Sequence, residues 1–411
     1  MLRVATTVAL FAASAFAQDL PVVYRGATVW PGDRAPITDA VLVIQNGRVQ
    51  TVGGASTTIP DGARIVECNG LVITPGLIDA AWDGSVAEAD GNEQSTEITP
   101  ALRVLDSLDP QNPALARARN SGVTAVHLMP GTRSVMGGLS VVLQTWASDP
   151  AAMVLRDEAS LRLVLGAEPS MGNRAIRGGN VDSIYYRRPT SRMGVIWSAR
   201  RAFFDAKEQI AETQGGTKTT RTTQEQRDLS VLTRVLQGSL PLVTTARSEQ
   251  DLRTALRLAD EFGYTPVIDE AQDAYLVLDE LQKARVWVMV GAPSASAVGG
   301  SAGQDGAEPR FATLKHLQDR GIPFVITTGS NTNATELVRE AMFAHRFGLG
   351  RQQALAAVTS QPAKLLGLAE RKGRLEAGMD ADFVVWSTDP FDPASTPTTV
   401  VINGNDTTSK Q

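Results

Sequence analysis

Few side chains in this chain of 411 residues have the chemistry that a zinc-like ion requires. The sequence contains three histidines, His127, His316 and His345, and one cysteine, Cys68. Imidazole and thiolate groups are the usual zinc ligands, and several of them must converge on one point. His127 lies in a predicted strand, whereas His316 and His345 lie on predicted helices, so the pattern does not predict an imidazole cluster. Cys68 lies in an alternating apolar segment, which is typical of a small buried residue.

Two other segments have residue types that bind anions. Residues 131–138 (Gly-Thr-Arg-Ser-Val-Met-Gly-Gly) follow a predicted strand. Their glycines, Gly137 and Gly138 among them, suit either an anion site or a tight structural turn. The guanidinium of Arg192 suits either a substrate carboxylate or a surface salt bridge. We therefore keep Arg192, Gly137 and Gly138 as candidates for contacts with a small-molecule ligand.

The composition excludes one class of partner. Hydrophobic residues make up 43% of the chain, charged residues make up 20%, and the formal net charge is −5. These values are typical of a globular protein with a sizeable core. The sequence has no basic patch, so nucleic acid is not expected as a partner. A single cysteine cannot form an internal disulfide.

The first residues have the features of an export signal. Arg3 precedes an apolar run from Val4 to Phe16, and Ala15-Phe16-Ala17 fits the small-residue rule for signal cleavage. Residues 1–17 are therefore predicted to be a signal peptide, and the mature protein is expected to be exported, either periplasmic or secreted. The apolar run is too short to span a bilayer, so no membrane insertion is expected after cleavage.

Short strands at both ends of the chain enclose a long segment in which strands and helices alternate. Residues 22–70 contain β-rich runs with a hairpin signal at Asn46-Gly47, and β-rich runs return at residues 382–386 and 399–402. Between them, eight apolar runs alternate with helical stretches, as is typical of a barrel with buried parallel strands. These runs are residues 71–78, 123–129, 139–146, 161–165, 240–244, 266–268, 286–290 and 324–326.

The order of elements predicts an α/β fold with two domains. Residues 71–370 are predicted to form a (β/α)8 TIM barrel, and residues 18–70 plus 371–405 a small β-sandwich domain built from both termini. Residues 406–411 are predicted to be a C-terminal tail. Helices are predicted at residues 195–212, 224–237, 248–262, 272–284, 311–319, 335–347 and 351–366, the last interrupted at Pro362.

Four segments point to a family. They are residues 72–79 (Val-Ile-Thr-Pro-Gly-Leu-Ile-Asp), 122–126, 361–367 and 373–386. In this order they resemble the amidohydrolase superfamily, in particular its imidazolonepropionase-like and related exported members. Residues 72–79 are similar to that superfamily's first barrel strand, and residues 373–386 to its return into the β-sandwich. The resemblance covers nearly the whole predicted mature chain.

The resemblance implies a hydrolase of C–N bonds that uses zinc or another divalent metal. It implies a His-x-His after Asp79, a histidine after each of the fifth and sixth barrel strands, and an aspartate after the eighth. At these positions the chain has Ala81 and Asp83, Thr245 and Arg247, Glu270 (or Asp269, if the register differs by one) and Gly329. Because every implied ligand is replaced, we expect no metal and no cofactor, and we assign no catalytic residue.

Three arrangements remain open for these positions. A salt bridge from Arg247 to Asp83 or Glu270 would fill the implied metal site with paired charges. Alternatively, Asp83, Asp269 and Glu270 would give oxygen ligands to a hard cation such as Ca²⁺ or Mg²⁺, against the repulsion of the guanidinium. The third alternative is no defined arrangement.

Two function hypotheses follow. In the first, the protein is a catalytically degraded homologue that acts as a binding or scaffold subunit. It would then form a hetero-oligomer with an active amidohydrolase homologue or a homo-oligomer, with or without a small-molecule ligand. In the second, it is an active imidazolonepropionase-like or dipeptidase-like hydrolase with a non-standard metal site. The loss of all implied ligands favours the first hypothesis.

Overall fold

The computed structural model describes residues 20–86, 90–93, 95–171, 189–216, 219–291, 312–329 and 337–408. The predicted signal peptide, residues 1–17, and the end of the predicted tail, residues 409–411, lie outside these ranges. The strands in chain order are β1 (Val22–Val29), β2 (Ile37–Gln45), β3 (Arg48–Gly53), β4 (Arg64–Glu67), β5 (Val72–Pro75), β6 (Leu77–Trp82), β7 (Val123–Leu128), β8 (Gly138–Leu139), β9 (Val141–Gln144), β10 (Val154–Arg156), β11 (Leu161–Val164), β12 (Leu242–Thr245), β13 (Pro266–Asp269), β14 (Trp287–Gly291), β15 (Phe324–Thr327), β16 (Phe383–Trp386), β17 (Pro397–Ile402) and β18 (Asn405–Asp406).

Except at residues 113–120 and 168–171, where none was predicted, the α-helices lie in segments with a predicted helix, with differences at their ends. They are α1 (Pro113–Asn120), α2 (Glu168–Met171), α3 (Arg192–Gly215), α4 (Thr223–Leu236), α5 (Glu249–Phe262), α6 (Leu278–Ala284), α7 (Thr313–Asp319), α8 (Leu337–Arg346), α9 (Arg351–Ala356) and α10 (Ser360–Leu365). Within the described ranges, none of the helices has the length and apolarity that crossing a bilayer requires.

Two of the predicted helices are each divided in two. The segment 272–284 consists of a 3₁₀ turn, Gln272–Leu276, followed by α6. The segment 351–366 breaks at residues 357–359 and not at Pro362. Pro362 lies in the first turn of α10, where its missing N–H would have no partner within the helix.

Strands from both ends of the described chain form one sheet of eight strands. Its order is β18-β17-β16-β5-β1-β2-β3, with β4 paired to β1. The predicted hairpin is confirmed, because Asn46 and Gly47 connect β2 to β3 with φ of 51° and 73°. The sheet also includes β5, which lies beyond the boundary predicted at residue 70, and β18, which extends one residue past the boundary predicted at residue 405. The strand pairing defines a single sheet and does not show the two packed layers of a sandwich. The β-sandwich and the domain boundaries therefore stay predictions.

The middle of the chain forms two further sheets. One has the order β15-β14-β13-β12-β11-β8 and the other β10-β9-β7-β6. Strands β11 to β15 are parallel to one another, and β6 is parallel to β7. The predicted strand 139–146 consists instead of β8 and β9, which run antiparallel to β11 and β7. No crossover helix lies between β7 and β9, and a parallel connection needs one.

The two central sheets share one apolar core. Side chains from both pack into the same cluster, among them Ile78, Ala125, Val243, Met289 and Val325. The sheets also touch at an isolated parallel bridge between Trp82 and Gly329. A mixed α/β fold is therefore established, whereas the pairing does not by itself give a closed eight-stranded barrel.

A buried lysine holds the terminal sheet to the segment that follows α10. Lys372 is 1% exposed, and its Nζ contacts Oδ2 of Asp382 and lies 3.2 Å from Oδ2 of Asp380. Asp382 in turn accepts a hydrogen bond from the backbone N–H of Asn403 at 2.7 Å. An ammonium buried to this extent is stable only when it is fully paired, so the contact fixes the start of β16.

Replacing Lys372 with methionine should lower the free energy of unfolding by about 3–5 kcal/mol, because two buried carboxylates would lose their cation. Urea unfolding followed by circular dichroism measures the change. Lys315→Met is the matched control, since Lys315 pairs with Asp319 at a surface where it is 39% exposed. Its cost should be about 0.5 kcal/mol or less. An equal decrease in the free energy of unfolding in the two variants would contradict the stabilising role of the buried contact.

Candidate functional site

One buried arginine connects its own strand to the carboxyl ends of two neighbouring strands. Arg162 lies on β11, and its side chain is 3% exposed. Its Nη2 donates to Oδ2 of Asp269 on β13 at 3.1 Å, and its Nε donates to Oγ1 of Thr245 on β12 at 3.2 Å. Nη1 donates to the carbonyl oxygen of Pro130 at 2.6 Å. A guanidinium this deeply buried requires such acceptors, so these residues form one unit.

A second arginine pairs with two carboxylates at the same edge. Nε of Arg247 contacts Oε2 of Glu270, and its Nη1 contacts Oε2 of Glu168 at the start of α2. Oε1 of Glu270 also lies 3.7 Å from Nη2 of Arg162. Burial disfavours the charge of Arg247, but the charges of Glu270 and Glu168 outweigh burial and raise its pKa above the ordinary value. Glu270 thus connects the two arginines.

The backbone of Glu270 has an uncommon conformation that directs its side chain. Its φ is 53°, in the left-handed region that side-chain-bearing residues seldom adopt. The side chain lies beside two glycines at the ends of β14 and β15. A Cβ placed on Gly291 would be 3.6 Å from Cγ of Glu270, and one placed on Gly329 would be 3.9 Å from its Oε1. Both are ordinary van der Waals distances, so the positive φ of 62° at Gly329, and not a lack of space, favours glycine where the resemblance implied an aspartate.

Two further carboxyl groups have an oxygen without a partner. Oδ1 of Asp83 and Oδ1 of Asp269 are buried and accept no hydrogen bond from any described residue. Burial raises the pKa of each carboxyl to about 6, partly offset by the charge of Arg162 and reinforced by that of Glu270. Four carboxyls (Asp83, Glu168, Asp269, Glu270) accompany two guanidiniums, so the cluster has a surplus of negative charge when it is fully ionised.

Asp79 joins the edges of the two central sheets. Its Oδ1 accepts from the backbone N–H groups of Ala81 and Thr328, both at 3.3 Å, and its Oδ2 accepts from Oγ1 of Thr328. Burial raises the pKa of Asp79 to about 7. Because Asp79 is on β6 and Thr328 follows β15, these bonds reinforce the bridge between Trp82 and Gly329. The role of Asp79 is therefore to hold the fold together.

The positions implied by the resemblance separate into two groups. The first group, Thr245, Arg247, Asp269 and Glu270, lies around Arg162. Asp83 is near enough for the charge of Arg162 to lower its pKa in part. Ala81 packs instead in the apolar core and has no ligand atom to offer. Of the three open arrangements, the salt bridge is present, and the partner of Arg247 is Glu270 and not Asp83.

The glycine-rich loop has structural contacts that account for its sequence. Gly138 has a φ of 125°, and a Cβ there would lie 2.5 Å from the carbonyl oxygen of Leu102. Oγ of Ser134 donates to the carbonyl of Glu93 at 2.8 Å. These contacts support the tight-turn alternative for the loop that contains Gly137 and Gly138.

Arg192 forms the salt bridge that was one of its two alternatives. It begins α3, and Nη1 lies 2.5 Å from Oδ1 of Asp251 on α5. The side chain of Arg192 is 25% exposed and that of Asp251 is 6% exposed, so the salt bridge is partly accessible to solvent. A substrate carboxylate would have to compete with Asp251 for this guanidinium.

Sequence reasoning missed three residues of the site. Arg162 and Glu168 were not proposed, nor was Thr132, whose Oγ1 contacts Oε1 of Glu168. A signal for Arg162 was present, because a charged residue in the middle of the apolar run Leu-Arg-Leu-Val-Leu must be paired if the run is buried. Glu168 and Thr132 had no such signal, since both lie in loop-like sequence.

The residues present do not fit a zinc-like ion. In the part of the chain that the structure describes, no three His, Cys, Asp or Glu side chains form a group that could hold a metal. His127 lies on the central strand β7, and both of its ring nitrogens have partners inside the core. Its Nδ1 lies 2.9 Å from the carbonyl of Ala80 and its Nε2 2.7 Å from Oγ of Ser140, and burial lowers its pKa to about 4. A metal at Asp269 would also face the guanidinium of Arg162.

Comparison with known proteins identifies the family. The family model described as the amidohydrolase family matches residues 280–407. The chain is 27% identical to the amidohydrolase tasK of Hapsidospora irregularis, over 93% of this chain and 43% of that protein. It is 24% identical to the imidazolonepropionase of Rhizobium rhizogenes, over 85% of this chain and 87% of that protein. The chain thus spans less than half the length of the first relative and most of the second.

A solved structure agrees with the sequence relatives. The crystal structure of an amidohydrolase from Thermotoga maritima superimposes with a TM-score of 0.81 at 28% identity, over 94% of this chain and 99% of that one. The chain belongs to the amidohydrolase superfamily, as its four motifs predicted.

Replacing Asp83 with asparagine should stabilise the protein at pH 8 by about 2–3 kcal/mol. The pKa of Asp83 rises from 3.8 unfolded to about 6 folded. The native state therefore binds more protons between these values, and this group's contribution to stability is lost as the pH rises through that window. Asparagine removes the buried charge, so the gain should vanish near pH 4.

Urea unfolding of both proteins at pH 4, 6 and 8 tests this. Asp61→Asn, at an exposed loop position, is the control and should change little at any pH. A loss of stability in the Asp83→Asn variant at pH 8 would contradict the assignment, and so would a gain that does not depend on pH.

Proposed function

We propose that this amidohydrolase-superfamily protein does not use a catalytic metal and acts as a binding or scaffold subunit. The observation that carries the proposal is the position of Arg162, whose guanidinium lies 3.1 Å from Asp269 and 3.7 Å from Glu270. These are the carboxylates that would have to face a metal at the strand ends. With Arg247 on the other side of Glu270, a positive charge is already fixed there.

Charge repulsion and geometry both support this proposal. Two unit charges about 4 Å apart repel by about 4 kcal/mol in partly buried surroundings, and a divalent ion is repelled about twice as strongly. To bind, the ion would have to displace a guanidinium from hydrogen bonds with Asp269, Thr245 and Pro130. The surrounding sequence offers no imidazole in compensation.

We further propose that the two central sheets are arcs of one eight-stranded barrel. A barrel needs two junctions between these sheets. The shared apolar core and the bridge between Trp82 and Gly329 support the first junction. At the second junction, β8 and β9 are separated only by Ser140, whose N–H donates to the carbonyl of Ser160 at 2.9 Å. The antiparallel β8 or β9 would then take the third place in the barrel, and the arginine cluster would lie at the face where barrel enzymes bind substrates.

The proposed subunit role includes a partner. The chain matches 43% of the amidohydrolase tasK, which leaves a part of that protein long enough for a second unit of the same size. This favours a hetero-oligomer with an active amidohydrolase homologue over a homo-oligomer. The signal-like pattern of residues 1–17 places the assembly outside the cytoplasm in this proposal.

A second candidate function follows from Asp83 and Asp269. Each has a buried oxygen without a partner and a pKa raised to about 6. Carboxyls with such pKa values suit general acid–base catalysis near neutral pH. In this alternative the protein hydrolyses a C–N bond without a metal, and Asp83 accepts the proton of the attacking water.

Elemental analysis and calorimetry with Mn²⁺ and Zn²⁺ test the first proposal on protein purified without chelators. We expect well under one ion per chain and no saturable binding. Arg162→Gln should bind Mn²⁺ at least about tenfold more tightly than the wild type, because it frees Asp269 and Glu270 from a neighbouring positive charge. A stoichiometric ion in the wild type would refute the proposal, as would equal affinities of the two proteins.

The second candidate is tested in the same preparations with cyclic amide and dipeptide substrates in the presence of a chelator. Turnover that survives the chelator and is lost in Asp83→Asn would establish metal-free catalysis. The control is Asp61→Asn, at an exposed loop position, which should leave any turnover unchanged. Absence of turnover in all proteins leaves the binding role.

A further inference from the structure

Three large apolar side chains lie exposed along one side of α3. Met193 is 81% exposed, Trp197 is 60% exposed and Phe204 is 49% exposed. Their spacing of four and seven residues places all three within about 40° of one another around the helix. We call Met193, Trp197 and Phe204 the α3 stripe. Phe204 also packs against Phe262 of α5, with the ring centroids 5.1 Å apart. Exposed large apolar side chains on one side of a helix are characteristic of an interaction site.

A groove runs beside the α3 stripe, between α3 and α4. It encloses about 460 Å³ and has an apolar floor that includes Ile98, Ala202, Leu229 and Leu232. The two helices are held in register here, because Oγ1 of Thr233 donates to Oε1 of Gln209 at 3.3 Å. The α3 stripe extends over about 17 Å along the helix, which is the length of about three turns of a partner helix.

The rim of the groove is acidic. It is formed by the carboxyls Asp205, Glu208, Glu225 and Asp228 and by the arginines Arg201 and Arg221. Both arginines already have carboxylate partners in the chain. Nε of Arg201 lies 3.9 Å from Oδ2 of Asp205, and Nη2 of Arg221 lies 2.7 Å from Oε2 of Glu212. The rim therefore presents a surplus of negative charge to an incoming partner.

We propose that this surface docks an amphipathic helix of a partner protein, with lysine or arginine beside its apolar face. Apolar side chains of that helix would pack against the α3 stripe and the groove floor, and its cations would meet the acidic rim. Trp197 is the expected centre of the contact, since exposed tryptophans dominate the energetics of such interfaces.

The charge of the rim argues against two other occupants. In a two-fold dimer of this chain the same acidic rims would face each other and repel. An anionic lipid surface would be repelled by the same carboxylates. The proposal is independent of the chemistry at the strand ends, so it stands or falls separately from the proposed function.

Fluorescence anisotropy with a labelled leucine–lysine peptide of about 18 residues, patterned as an amphipathic helix, tests the proposal on the full chain. We expect saturable binding that weakens with salt, and none for the same peptide with glutamate in place of lysine. Trp197→Ala should weaken binding about tenfold or more. Glu208→Lys should weaken it less and reduce the dependence on salt.

Matched controls at other surfaces are Leu276→Ala, since Leu276 is 44% exposed, and Asp61→Lys, at an exposed loop position. Both should bind like the wild type, and circular dichroism should show every variant folded. Equal binding of both peptides would overturn the proposal, and so would an unchanged affinity in Trp197→Ala. Light scattering that finds a dimer dissociated by Trp197→Ala would overturn it in favour of a second copy.

Discussion

The buried guanidinium of Arg162 sets the arrangement of every polar side chain around it. A cation with only 3% of its side chain exposed is stable only when acceptors surround it, and here two strands and a loop contribute them. This need explains why Thr245 is a short hydroxyl residue and why Asp269 is aligned with it. In this chain a covalently attached charge stands among the carboxylates where the superfamily resemblance implies a metal.

The charge of the second arginine, Arg247, compensates the negative charge of the carboxylates only in part. Arg247 and Arg162 share Glu270, whose left-handed backbone conformation has a cost of about 1–3 kcal/mol that these pairings offset. Asp83 and Asp269 nevertheless keep an oxygen without a partner, and burial holds their pKa values near 6. The net charge of the cluster therefore depends on how many of these carboxyls are protonated. Its electrostatics should be most sensitive between about pH 4 and 7.

Much of the fold could be predicted from the sequence, because apolar periodicity reports burial. The hairpin at Asn46-Gly47, the terminal strands and most helices followed from it. The antiparallel direction of β8 and β9 could not be predicted, since residues 139–146 have the same apolar pattern in either direction. The break before α10 was misplaced because Pro362 is compatible with a first helical turn.

The site was harder to predict because partners distant in sequence decide it. The resemblance located Arg247 and Glu270, and their salt bridge was among the alternatives. Arg162 had a usable signal in its apolar run. Glu168 depends on contacts with Thr132 and Arg247 that no local pattern encodes.

Stability and chemistry are separable in this molecule, which explains how the fold persists with an altered site. The seam between the central sheets depends on Asp79 and Thr328, and the terminal sheet is fixed by Lys372. None of these contacts requires a metal. The framework is therefore stabilised independently of the polar cluster, in which the buried charges of Arg162 and Arg247 are paired with carboxylates. The α3 stripe belongs to none of these contacts, so a role for that surface would not depend on the polar cluster at the strand ends.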